Sequence, residues 1–248
     1  MSELIKKLTS TSVGTARQMG FGVVSRKDKK EPIIVAGFCN KAVENAAEFI
    51  KGADAVALSA EMVAVKTAKG VVRGGWQKNG GKTAKGNYDF TISSIDNLPP
   101  DTTESETGRI LELDDGLEDT LIRTINNLPA QAVLVKGKEA GNPLSWRRLM
   151  IYRRFVDMLS KPLLVAVSAE VTIDQLKLLW GVGINGFFLT LDKKEDAGKI
   201  SQLRRQMKKE NWQELRHKKS GYGAVLPAAA QEVVTPEEEI EEPEEEEI

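Results

Sequence analysis

The sequence predicts an α/β fold: a (β/α)8 barrel, irregular in that helices are missing after its first and fourth strands, followed by a disordered acidic C-terminal tail. Three observations lead there. Eight short, nearly continuous apolar runs punctuate the chain, as parallel strands covered on both faces require. Most segments between them carry apolar residues at helical spacing, with capping residues at their ends. Eight strand–helix units occupy about 250 residues in such a barrel, and the chain has 248.

The runs span residues 21–24, 33–38, 55–58, 90–95, 110–113, 132–135, 163–167 and 186–191. The first helix follows Asn40, a good N-cap, with Val43, Ala46, Ala47 and Ile50 on its stripe and Gly52 at its end. Leu117, Leu121, Ile122, Ile125 and Leu128 mark a second helix, closed by Pro129. Trp146, Leu149, Met150, Phe155, Val156 and Leu159 mark a third, which ends before Pro162. Ile173, Leu176 and Leu179 follow the capping residue Thr172 and stop at Gly181 and Gly183, while Ile200, Leu203, Met207 and Trp212 predict one last long helix. Alternation at this spacing forms right-handed βαβ units. Two connections break the pattern. Residues 25–32 are too few for a parallel crossover, which takes a dozen or more, and residues 96–109 hold Pro99 and Pro100 and no apolar stripe. The competing arrangement is an open doubly wound or mixed sheet, its first two runs paired as a hairpin over the charged turn at residues 26–30.

A hydrophobic fraction of 41% with 29% charged residues suits an ordinary globular domain. The charge is segregated. Residues 232–248 hold 10 of the 36 acidic side chains and none of the 35 lysines and arginines, which leaves residues 1–231 nine charges positive. A block of like charges buries too little to offset its ordering entropy. We therefore expect a barrel domain over residues 1–226 and a disordered Glu-rich tail over residues 227–248. The tail either solvates the basic body, folds back to shield a basic surface, or meets a protein partner. No apolar run approaches the roughly 20 residues of a membrane span, the N-terminus lacks the core of a secretion signal, and a lone cysteine, Cys39, precludes an internal disulfide. These features predict a cytoplasmic protein with no membrane contact. A lone histidine, His217, argues against most histidine-based dyads and metal sites.

In such a barrel the C-terminal ends of the strands open into one shared mouth, where chemistry sits. The polar residues there are Ser25, Cys39, Asn40, Ser59, Glu61, Ser94, Asp96, Asp114, Asp115, Lys136, Lys138, Ser168, Glu170 and Asp192. Lys136 directly follows the run at 132–135, and an apolar mouth disfavours a charged amine there, which suits it to attack a carbonyl. Asp114, one strand earlier, is the matching proton-transfer partner. In position Lys136 is similar to the Schiff-base lysine of class I aldolases and type I dehydroquinases, which also lies on the sixth barrel strand. That resemblance implies carbonyl chemistry of the lyase kind.

Residues 162–189 resemble the seventh and eighth strands of the phosphate-binding TIM barrels, including the flavin-dependent ones, whose glycines offer backbone amides to a phosphate. The matching positions here read Ser168-Ala169-Glu170 and Asp192-Lys193-Lys194, with no glycine and with two carboxylates that repel a phosphate. The resemblance thus implies the fold without the usual phosphate cup, and it disfavours flavin.

Residues 66–88 interleave Lys66, Lys69, Arg73, Lys78, Lys82 and Lys85 with six glycines, the make-up of a lid that closes over an anion or of a solvated surface loop. Gly81-Lys82-Thr83 is not a nucleotide P-loop, because the required glycine five residues before Gly81 is Trp76. Cys39 ends a strand without a histidine base nearby and reads as a buried structural residue that also borders the mouth. Arg147, Arg148, Arg153 and Arg154, with the bases of the last helix, read as a solvated outer face. Only 6% of residues are aromatic, so a nucleic-acid partner is not expected.

These residues describe an enzyme that binds a small anionic organic molecule, carbonyl- or phosphate-containing, at the mouth of the barrel. Its catalytic candidates are Lys136 and Asp114, and its candidate ligand contacts are Cys39, Glu61, Asp96, Lys138, Ser168, Glu170 and Lys82. They name no cofactor. The alternative is a non-catalytic barrel that serves as a scaffold or partner-binding module through its acidic tail and basic helices.

Overall fold

Eight parallel strands pair in sequence order and close on themselves in the computed structural model: β1 (Ile33–Phe38), β2 (Ala55–Ser59), β3 (Val72–Gln77), β4 (Phe90–Ser94), β5 (Gly108–Asp114), β6 (Ala132–Lys136), β7 (Leu163–Val167) and β8 (Gly186–Thr190). The structure describes residues 2–11, 31–38, 46–59, 70–77, 87–97, 107–137, 144–191, 196 and 198–217. The run at 21–24, the expected tail at 227–248, and Cys39, Glu61, Lys82 and Lys138 lie outside them. Strand β8 returns to β1, with Ile33 opposite Gly186 and Gly37 opposite Thr190, so the sheet has no free edge. Closure rules out the open sheet. Seven of the expected runs become strands, and the barrel closes without residues 21–24. Its third strand comes instead from the middle of the lysine–glycine segment.

The reason lies in how the interior is filled. Alternate strand residues point inward and pack as one cluster, among them Val35, Ala57, Val72, Trp76, Phe90, Ile92, Ile110, Leu134, Leu164 and Phe188. Two of the largest need space. A methyl group on Gly37 would fall 2.2 Å from the Phe188 ring, and one on Gly74 would fall 2.2 Å from the Phe90 ring. Glycines that look like loop punctuation are thus the sockets into which inward aromatics fit. Outward residues such as Ile34, Val56, Val133, Val165 and Phe187 pack against the surrounding helices in a second cluster.

Those helices are α2 (Ala46–Ile50), α3 (Asp119–Thr124), α4 (Trp146–Met158), α5 (Ile173–Val182), α6 (Lys199–Met207) and α7 (Trp212–His217). Thr172 caps α5 in a reciprocal box with Gln175, and Gly183 ends it in the left-handed region at φ 119°. The expected second helix is shorter than its stripe: α3 tightens into a 3-10 turn at Ile125–Asn127, which buries Ile122 and Ile125 and leaves Leu121 and Leu128 nearly half exposed. The expected last helix is two. The chain breaks after Met207, and α7 docks separately, with the Trp180 indole donating to the Trp212 carbonyl and the Trp212 indole to that of Met207. In α4 the core is Leu149, Tyr152 and Phe155, whereas Trp146 and Met150 face out. Nor do all its arginines simply face water. Arg154 donates to the Leu117 carbonyl at 2.7 Å and pairs with Asp119, and Arg153 reaches the Val182 carbonyl while pairing with Asp157.

A further helix, α1 (Glu3–Thr11), closes the barrel floor. Leu4, Ile5 and Leu8 belong to the interior cluster. Asp89, just before β4, holds its start: the carboxylate accepts from the Ser2 hydroxyl at 2.6 Å and from the Glu3 and Leu4 amides at 2.8 and 3.1 Å. The Ser2 oxygen in turn accepts from the Ile5 amide. Burial works against the Asp89 charge, but these hydrogen bonds outweigh it and hold the carboxyl below the usual carboxylate range.

A group whose acidity is strengthened by folding stabilises the native state at pH values above its unfolded pKa and loses that effect as the pH falls through the folded one. Asp89→Ala should therefore cost about 1–2 kcal/mol at neutral pH. Melting temperatures measured across pH should show the gap between the two proteins full above the carboxylate range and shrinking below it.

Candidate functional site

The C-terminal end of the barrel interior carries a polar cluster built by β3, β5 and β6. Inward parity on β5 runs through Ile110, Glu112 and Asp114, and on β6 through Ala132, Leu134 and Lys136. Glu112 is largely enclosed, its side chain 14% exposed. One of its oxygens accepts the Trp76 indole N–H at 2.6 Å, and the other faces the Lys136 ammonium at 3.7 Å. That ammonium also lies 5.9 Å from the centre of the Trp76 ring, within reach of its π-face. Trp76 is held in turn by Phe188, edge to face at 5.0 Å, and Phe188 sits over Gly37. The two polar partners of Glu112 satisfy a carboxylate that would otherwise be costly to bury.

The structure brings Lys136 to the mouth and pairs it in register with Asp114. The carboxylate that meets the lysine is nevertheless Glu112, two residues earlier, while Asp114 stands exposed on the rim. Lys136 itself is open to the mouth, its side chain 37% exposed. Asp96 and Ser94 lie together on the rim after β4, linked at 3.5 Å. Ser168 turns back to accept the Glu170 amide, which leaves the Glu170 side chain exposed. Ser59, at the end of β2, is buried.

Beside Lys136 the rim is braced. A methyl on Gly137 would fall 2.6 Å from the Arg148 guanidinium and 3.1 Å from an Asp115 carboxylate oxygen, so the glycine leaves room for this charged contact. Tyr152 joins it through a hydrogen bond with Arg148, and burial raises the pKa of its phenol above the usual value, making it a weaker acid. Among the described residues no three acidic, histidine or cysteine side chains gather as a metal site.

Sequence reasoning missed Glu112 and Trp76. Glu112 was legible as the lone charge inside the apolar stretch Ile110-Leu111-Glu112-Leu113, at the same parity as Asp114. Trp76 was hidden by the two glycines before it.

No family model and no curated protein matches the sequence. Solved structures do resemble the fold. A protein from Aquifex aeolicus VF5 superposes with a TM-score of 0.50 at 12% identity, over 85% of this chain and 97% of that one. A mutant tryptophan synthase α-subunit from Pyrococcus furiosus reaches 0.49 at 10% identity, over 73% and 98% of the two chains. An aldolase from Escherichia coli K12 reaches 0.44 at 11%, over 90% and 97%. Identities this low concern the fold alone: the chain is a TIM-type (β/α)8 barrel. No described helix is long and apolar enough to cross a membrane.

Replacing Glu112 separates its two partners. Glu112→Gln retains an oxygen for the Trp76 N–H and should cost little stability, whereas Glu112→Leu strands a buried donor and should cost about 1–3 kcal/mol. Urea denaturation of the two variants measures the difference, and equal losses would mean that the indole bond is not what the carboxylate provides.

Proposed function

We propose that the protein is an enzyme of the lyase kind that binds a small carbonyl compound, itself a weak anion, at the mouth of the barrel and engages it through Lys136. One observation carries this reading: a lysine at the end of the sixth strand, open to the mouth, faces an enclosed carboxylate whose second oxygen is occupied by an indole N–H. Glu112 rather than Asp114 is then the group that exchanges a proton with the lysine. Once Lys136 has given its proton to Glu112, the free amine adds to the carbonyl carbon. The carbonyl oxygen leaves as water after protonation, and the resulting iminium draws electrons from the adjacent bond that breaks. Hydrolysis returns the lysine.

Asp96, Asp114 and Glu170 make the described rim acidic. This favours a carbonyl compound bearing a single carboxylate over a phosphate ester, whose greater charge they would oppose. Lys138 and Lys82, beyond the described residues, are the further cations that the sequence offers such a ligand, with Glu61, Cys39 and Ser168 as additional contacts.

Borohydride trapping tests the proposal without a known substrate. The protein incubated with small 2-oxo acids or aldehydes and a mild hydride donor should gain the mass of one reduced adduct, mapped by peptide sequencing to Lys136. Lys136→Ala should gain none, and Glu112→Gln should form it more slowly by about 10²–10⁴-fold, the usual contribution of a positioned proton-transfer group. Label spread evenly over surface lysines, and unchanged by Lys136→Ala, would overturn it.

A further inference from the structure

We infer that the outward face of α4 is the docking surface for the chain's own acidic C-terminal segment, residues 232–248. The face departs from what its sequence asks for. Trp146 and Met150 belong to an apolar stripe, yet they are 81% and 72% exposed. They are four residues apart on one side of the first helical turns. No other tryptophan is treated this way: Trp76, Trp180 and Trp212 are each at most 2% exposed. Arg147, three residues before Met150 and so next to it on the helix surface, is also exposed and has no ion-pair partner among the described residues, whereas Arg153 and Arg154 of the same helix are engaged by Asp157 and Asp119. The surface is therefore a large apolar pair beside an uncommitted guanidinium.

The segment has the complementary chemistry. It sets Val233, Val234 and Ile240 among 10 glutamates and no base, while the rest of the chain is nine charges positive. Isolated apolar side chains suit Trp146 and Met150, and the flanking carboxylates suit Arg147 and the net positive charge of the rest of the chain. The distance also fits. Helix α7, which ends at His217, packs on α5, and α5 packs on α4. At about 8–10 Å between packed helices the face lies roughly 20 Å away. The 14 residues at 218–231 can reach about 45 Å when extended. The occupant is thus supplied by the chain itself, in reach and opposite in charge.

Because Trp146 is the one exposed tryptophan, its accessibility reads the contact directly. Acrylamide quenching is measured on the full chain and on a chain ending at Gln231, each with a Trp146→Phe counterpart that isolates the Trp146 emission. At low salt the full chain should shield Trp146, and deleting residues 232–248 should raise its quenching severalfold. Raising the salt on the full chain should do the same, since exposed charges are screened over about 10 Å at 0.1 M. A synthetic peptide of residues 232–248 should restore shielding to the shortened chain and fail on its Arg147→Glu variant. Two results would overturn the inference. Trp146 equally open in both chains would mean that the segment does not cover it. Trp146 equally shielded in both would mean another occupant, a second copy if the native mass is doubled and a different protein if an unrelated mass co-purifies.

Discussion

Everything in this molecule follows from having to fill the inside of a closed eight-stranded sheet. Closure removes the vulnerable edges but encloses a fixed volume, which side chains must occupy at near-crystalline density. The chain meets this with a few large inward aromatics and the small residues that admit them: Phe188 over Gly37, Phe90 over Gly74, and Trp76 edge-on to Phe188. From below, α1 inserts Leu4, Ile5 and Leu8, fixed at its start by Asp89.

The same packing creates the polar cluster. Trp76 is locked between Phe188 and the carboxylate of Glu112, so its N–H is aimed, and Glu112 is held with one oxygen committed and the other toward Lys136. A carboxylate in this position is tolerable only because both oxygens have polar partners. Side chains locked by packing are what lets a site hold its geometry without reorganising when a ligand arrives. The apolar core and the candidate chemistry therefore share one residue, Trp76.

Around the barrel, some cationic side chains serve as struts. Arg204 pairs with Asp54, whose other oxygen takes the Ile34 amide at the entrance to β1, and it also reaches the Pro32 carbonyl. Lys161 donates to the Ile125 and Leu128 carbonyls and so closes the 3-10 turn after α3. Both struts bond backbone carbonyls that loops would otherwise leave unpaired, and Arg204 adds a partly buried carboxylate.

Read alone, the sequence determined the α/β class, seven of the eight strands, the positions of most helices and the lysine at the end of the sixth strand. These are properties of local pattern: continuous apolar runs for strands covered on both faces, and helical spacing with caps for α5. Tertiary structure decided the rest. Val72–Gln77 became a strand because Gly74 is worth more as a socket for Phe90 than it costs as a poor strand residue, a trade visible only once the two are neighbours. Lys136 met Glu112 instead of Asp114 because side-chain direction and depth, not sequence rank at a strand end, set which carboxylate lies within reach. Trp146 and Met150 matched a core stripe in spacing, but the core meets a helix along one line only, and Leu149, Tyr152 and Phe155 already fill it. Periodicity names the faces of an element; only the fold decides which face is turned inward.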